Sequence, residues 1–283
     1  YNVTLADRRE TFGGRLIYET SLPGLNTWGR VLDYRMQALQ PMANVQLFPG
    51  SEMGVDDLLA MEHEHLVLAT GSRWTRFLYS SLEIPVGELN QPNVYTPDDL
   101  AAGLVPEGPV LVYDFDNYYM GGAVAESLAE QGLDVSYATP AGHASAWTVM
   151  TNEQPFIHQA LHKLNVEVMT QMLLKGFDGK QASLANIFTG KDSSVDVRSI
   201  VITGHRQPND EVYHELMSRQ EEFKDAGIKT VERVGDCFAP GAIVHAVHSG
   251  HQYARQLDGD GLQGYRRDIQ IAEAAPSDIY SGW

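Results

Sequence analysis

One cysteine, Cys237, stands in a chain of 283 residues. A single thiol forms no disulfide within the chain and cannot hold an iron–sulfur cluster, which takes several thiolates. It also points to a reducing compartment, so a cytoplasmic location is expected. Basic residues are scarce. Against 37 Asp and Glu stand only 20 Lys and Arg, a formal net charge of −17. That balance argues against nucleic-acid binding, which needs a basic face. It suits a solvated acidic surface that could steer a basic partner. Long apolar runs are missing too. No stretch approaches the ~20 residues of a membrane span, and no basic segment followed by an apolar core marks a signal peptide.

What is present has two short signatures. Val3-Thr4-Leu5-Ala6 reads as an apolar strand ending on Asp7, followed by Gly13-Gly14-Arg15-Leu16. Near the other end, Val231-Glu232-Arg233-Val234 leads into Gly235-Asp236 and Ala239-Pro240. Together they read as the second and closing strands of an ADP- or FAD-binding Rossmann unit. The first strand and its G-x-G-x-x-G loop would lie upstream of Tyr1. The chain is therefore expected to open inside a nucleotide-binding domain and to be part of a longer flavoprotein, without the reaction centre.

Each candidate has a chemical reason. An acid at the end of the second Rossmann strand accepts hydrogen bonds from the adenosine ribose, although a turn aspartate fits Asp7 as well. Gly13 and Gly14 let backbone approach a cofactor without a Cβ clash, and Arg15 follows them directly. Ala69-Thr70-Gly71 closes a buried-type strand from His65. Asp236 sits before a helix from about Ala242, whose N-terminal amides favour an anion; a loop-capping role is the plain alternative.

Between these signatures lies a second strand–helix–strand pattern. Pro109–Tyr113 reads as a strand, Gly121–Gln131 as a helix, Leu133–Ala138 as a strand, and Ser199–Thr203 as another. The expected fold is thus α/β, with two Rossmann-like nucleotide-binding-type domains, the second inserted in the first. The boundaries are 1–104 plus 206–258 for the first domain, 105–205 for the insert, and 259–283 for a polar tail. The loop after Tyr113 carries Asp114, Asp116, Tyr118 and Tyr119 where glycines would admit a pyrophosphate. Carboxylates repel phosphate, so this insert is expected not to bind NAD(P)H. His245, His248 and His251 fall at i, i+3, i+6, which carries the third round the helix, and no metal site is expected.

Further segments strengthen one resemblance. Leu22-Pro23-Gly24-Leu25, Trp28, Asp33-Tyr34-Arg35, Gly71-Ser72-Arg73-Trp74, Thr96-Pro97, Tyr119-Met120 and Thr203-Gly204 with Arg206 join the two signatures. From Tyr1 to about Leu257 the chain resembles the C-terminal half of the trimethylamine dehydrogenase and histamine dehydrogenase family, old-yellow-enzyme-type oxidoreductases. The resemblance implies a parent enzyme that oxidises an amine at FMN and passes electrons through a [4Fe–4S] cluster to an electron-transferring flavoprotein. It implies ADP or FAD in the present region, a homodimer as one assembly, and no catalytic residue in this chain. Two alternatives stay open: a separate binding module that pairs with a barrel subunit, and an NAD(P)H-dependent enoyl reductase, which the Asp114/Asp116 loop disfavours.

Overall fold

The computed structural model describes residues 1–257; the expected tail at 259–283 lies outside the described residues. In chain order the elements are β1 (Val3–Ala6), α1 (Leu16–Glu19), α2 (Gly29–Leu39), β2 (Val45–Phe48), α3 (Val55–Ala60), β3 (His65–Leu68), β4 (Ser72–Trp74), β5 (Phe77–Tyr79), β6 (Pro85–Glu88), β7 (Val94–Tyr95), α4 (Pro97–Ala101) and β8 (Val110–Asp114). There follow α5 (Tyr119–Glu130), β9 (Val135–Ala138), α6 (Gln154–Lys163), β10 (Glu167–Met169), β11 (Met172–Phe177), β12 (Gln181–Asn186), β13 (Asp192–Asp196), β14 (Ser199–Thr203), β15 (Arg206–Pro208), α7 (Glu211–Ser218), β16 (Thr230–Arg233) and α8 (Ile243–Gln256).

A five-stranded sheet in the order β10-β9-β8-β14-β7, parallel throughout, forms the largest core. Every residue of β8 and β14 is buried. Strand side chains alternate between faces, and both faces here are covered. Val110, Val112 and Val201 pack with Val124, Leu128 and Leu161 of α5 and α6. Leu111, Tyr113, Ile200 and Ile202 pack on the other side with Leu174, Phe177 and Leu184. Those last three belong to an antiparallel meander, β11-β12-β13. Burial on both faces explains the unbroken apolar runs of β8 and β14. The meander is not legible in the same way, because Gln181–Asn186 and Asp192–Asp196 are largely polar.

Two smaller parallel pairs stand apart from this sheet: β1 with β2, and β3 with β16. The β3/β16 pair packs Leu66 and Leu68 against Val55, Leu216, Ile228 and Cys237. An antiparallel ribbon, β4 with β15, follows β3 on one side and β14 on the other. It pairs Trp74 with Arg206. One helix start is written locally: Thr96 caps α4, its backbone N–H donating to Asp99 Oδ2 at 2.7 Å, with Pro97 in the first turn.

Candidate functional site

The carboxyl ends of β3 and β16 meet at a turn. Strand β16 ends at Arg233, and Gly235–Cys237 forms a single 3₁₀ turn rather than a continuation of the strand. Gly235 takes a φ of +62°, a left-handed conformation that suits glycine. Its N–H donates to Ser249 Oγ of α8 at 3.0 Å. Ala239 N–H bonds back to Gly235 O at 2.9 Å, and Pro240 leads into Gly241 just ahead of α8.

Asp236 is the centre of this turn. Its Oδ2 accepts from Arg15 Nη2 at 2.5 Å, Arg206 Nη1 at 2.6 Å and Ser72 Oγ at 3.0 Å. Its Oδ1 accepts from Gly241 N–H at 3.0 Å. The sequence candidates Arg15 and Asp236, 221 residues apart, are thus in direct contact. Arg15, which immediately precedes α1, also places Nε 2.6 Å from Glu19 of that helix, and Nη1 3.3 Å from Ser72 Oγ. Burial pulls the Arg15 guanidinium down, but the charges of Glu19 and Asp236 outweigh it and hold the group above its ordinary value. Arg206 is as enclosed as Asp236, each side chain 12% exposed.

The other candidates lie around this centre or beyond it. Thr70 donates to Asn209 O and has its hydroxyl 3.0 Å from Cys237 Sγ. Asn209 N–H donates to Gly71 O at 2.9 Å, and Gly71 has a φ of +78°. Ala69 directly follows β3, which ends at Leu68. Asp7 is held locally: Oδ1 accepts Arg9 N–H at 2.9 Å, and its main chain bonds Phe48 and Ser51. Gly13 and Gly14 both have positive φ, +122° and +56°. A Cβ on Gly13 would stand 2.7 Å from Leu32 Cδ2, so the first glycine serves packing on α2.

Sequence reasoning placed none of Glu19, Ser72, Trp74, Tyr119 and Arg206 at this site; Ser72, Trp74 and Arg206 entered only through the resemblance, and Tyr119 also through the loop of the insert. Only Glu19 carried a local signal, its i, i+4 spacing from Arg15. The Arg206 guanidinium lies 5.3 Å from the Trp74 ring centroid.

The glycine-poor loop after β8 of the insert has a specific geometry. Asp114 is fully buried under the first turn of α5, not projecting into a mouth. It accepts from Tyr137 OH, Asn117 N–H at 2.9 Å and Thr203 Oγ1 at 3.2 Å. Burial, then the charge of Asp116, pushes its carboxyl up to about 7. The N–H groups of Phe115 and Asp116 both donate to Thr203 O, at 2.8 and 3.0 Å. In the order of this sheet, β8 and β14 flank the point where the chain changes direction, the usual ligand crevice of such sheets. Here protein groups bridge it. Among the described residues there is no cluster of three or more His, Cys, Asp or Glu able to hold a metal, and no helix long and apolar enough to cross a membrane.

Residues 95–217 match the family described as the OYE-like second alpha/beta domain. The chain is 28% identical over 286 residues to dimethylamine dehydrogenase from Hyphomicrobium sp. (strain x), covering 91% of this chain and 39% of that protein. Histamine dehydrogenase from Rhizobium sp. 4-9 superposes with a TM-score of 0.87 at 37% identity, over 93% of this chain and 42% of the other. The 6-hydroxypseudooxynicotine amine oxidase of Pseudomonas geniculata N1 gives a TM-score of 0.86 at 33% identity, over 92% and 39%. The chain therefore spans about two fifths of the length of the relatives it matches. Homology to dimethylamine dehydrogenase and the structural match to histamine dehydrogenase support assignment of the chain to the trimethylamine dehydrogenase and histamine dehydrogenase family, amine dehydrogenase-like flavoproteins of the old-yellow-enzyme type.

Proposed function

We propose that this chain is the nucleotide-binding and scaffold region of an amine dehydrogenase-like flavoprotein. In that reading the first domain, 1–104 plus 206–258, binds ADP or FAD, and the insert, 105–205, is a scaffold that takes no NAD(P)H. The observation that carries it is the contact of Arg15 with Asp236 at the carboxyl ends of β3 and β16, where parallel α/β sheets take their ligands. The 14-residue α8 starts two residues after Gly241 and offers its first amides to an anion. Asp7 directly follows β1 and is half-buried, as a ribose acceptor would be. Val3 and Leu5 of β1 and Val67 of β3 leave apolar side chains exposed. A glycine-loop strand and helix would cover them.

The described residues do not fit an iron–sulfur cluster, since Cys237 is alone and buried. In the whole enzyme of this reading, amine oxidation belongs to FMN, and electrons pass through a cluster to an electron-transferring flavoprotein. This chain's own part is to bind and orient the nucleotide. The test is calorimetry with ADP and with FAD on the full-length protein, wild type against Asp7→Ala. Loss of a charge-assisted hydrogen bond of roughly 1.5–3 kcal/mol lowers affinity about tenfold or more. Unchanged affinity would leave Asp7 as a turn residue only.

A further inference from the structure

Both ends of the Gly235–Gly241 turn are tied to one side chain of β15. Arg206 opens β15, three residues after β14 of the five-stranded sheet ends at Thr203. Its Nη1 donates to Asp236 Oδ2 at 2.6 Å and its Nη2 to Gly241 O at 2.8 Å. Gly241 N–H in turn donates to Asp236 Oδ1 at 3.0 Å. A closed ring of three hydrogen bonds therefore fixes where α8 begins relative to Asp236. The guanidinium lies 5.3 Å from the Trp74 ring centroid, and Arg206 pairs with Trp74 across the β4/β15 ribbon. A planar fork is suited to this double task; a lysine ammonium provides only a point charge. The positive charge also reaches Asp116, in the loop after β8.

We propose that Arg206 is a positioning residue for the nucleotide site. It holds the turn ahead of α8 in the shape a nucleoside diphosphate needs, and it ties that shape to the five-stranded sheet through β15. The proposal rests on the nucleotide reading of this site, and the experiment separates the two. In the full-length protein, Arg206→Met removes both donors at similar length, and Arg206→Lys keeps charge and one contact.

Two measurements decide it. The first is hydrogen exchange of the protein without added nucleotide. Arg206→Met should raise exchange at residues 235–242 at least about tenfold, since a hydrogen bond to a charged group is lost, with β8 and β14 unchanged and Arg206→Lys between. Unchanged protection at 235–242 overturns the proposal, as does general loss of protection across the sheet. The second is ADP calorimetry. Arg206→Met should weaken binding about tenfold or more and Arg206→Lys should recover part of it. Equal affinity of wild type and Arg206→Met overturns the positioning role while leaving the nucleotide reading intact. No saturable binding of ADP or FAD to wild type overturns the nucleotide reading, and with it the ligand role of Arg206.

Discussion

The hydroxyl of Tyr119, in the first turn of α5, donates a 2.9 Å hydrogen bond to Glu19 of α1, 100 residues earlier in the chain. Glu19 is 3% exposed and is also paired with Arg15, whose other arm holds Asp236. The five-stranded sheet's principal helix is thus joined to the Asp236 turn by a chain of polar contacts: Tyr119, Glu19, Arg15, Asp236. Burial, then the nearby Glu19 charge, pushes the Tyr119 hydroxyl up, so it stays protonated as a donor.

Tyr119→Phe keeps the ring and removes only that donor. It should destabilise the protein by about 1.5–3 kcal/mol, the range for a hydrogen bond to a charged group. Urea unfolding checks this. A change below about 0.5 kcal/mol would mean that Arg15 alone satisfies Glu19.

Gly121 of α5 lies against Asp114. A Cβ there would stand 2.5 Å from Asp114 Cγ and 2.6 Å from its Cβ. Asp114 cannot swing away, because Tyr137, Asn117 and Thr203 hold it. Gly121→Ala should therefore cost about 2–3 kcal/mol, although alanine is the better helix former. Equal urea midpoints for the two proteins would show that this packing relaxes freely.

Asp114 also sets a pH dependence. Its carboxyl rises from 3.8 to about 7 on folding, through burial first and the Asp116 charge second. The folded state then binds more protons than the unfolded state between those values. The stability gained from the protonated form is full below about 3.8 and is lost as pH rises through about 7. Asp114→Asn should flatten that part of the profile. The measurement is the difference in unfolding free energy, wild type minus Asp114→Asn, across this range. It should fall with rising pH; a rising or level difference contradicts the assignment.

NADH should show no saturable binding to the insert near neutral pH. The amides of Phe115, Asp116 and Asn117, which would cradle a pyrophosphate, are bonded to Thr203 O and Asp114 Oδ1. A fluorescence titration giving a micromolar dissociation constant would overturn this.

Local pattern determined much of the architecture. The apolar runs at 110–113 and 200–202 marked strands, because that signal lies within a few residues, whereas the capped start of α4 at Thr96 was read only from the structure. The acidic balance and the lone cysteine were equally plain. The short strands at 72–74 and 206–208 and the polar meander at 181–196 carried no such signal. The site divided the same way. Gly235-Asp236 and Gly13-Gly14-Arg15 stood out as sequence, but Arg15 meets Asp236 only because folding brings residues 221 apart together. Arg206, Glu19 and Tyr119 have ordinary local surroundings and gain their roles from what lies across from them. A hydrogen bond between distant segments depends on which strands and helices become neighbours, and a window of a few residues contains no record of that. Propensity and burial periodicity were therefore set by the sequence alone, while tertiary packing alone decided which charges face one another.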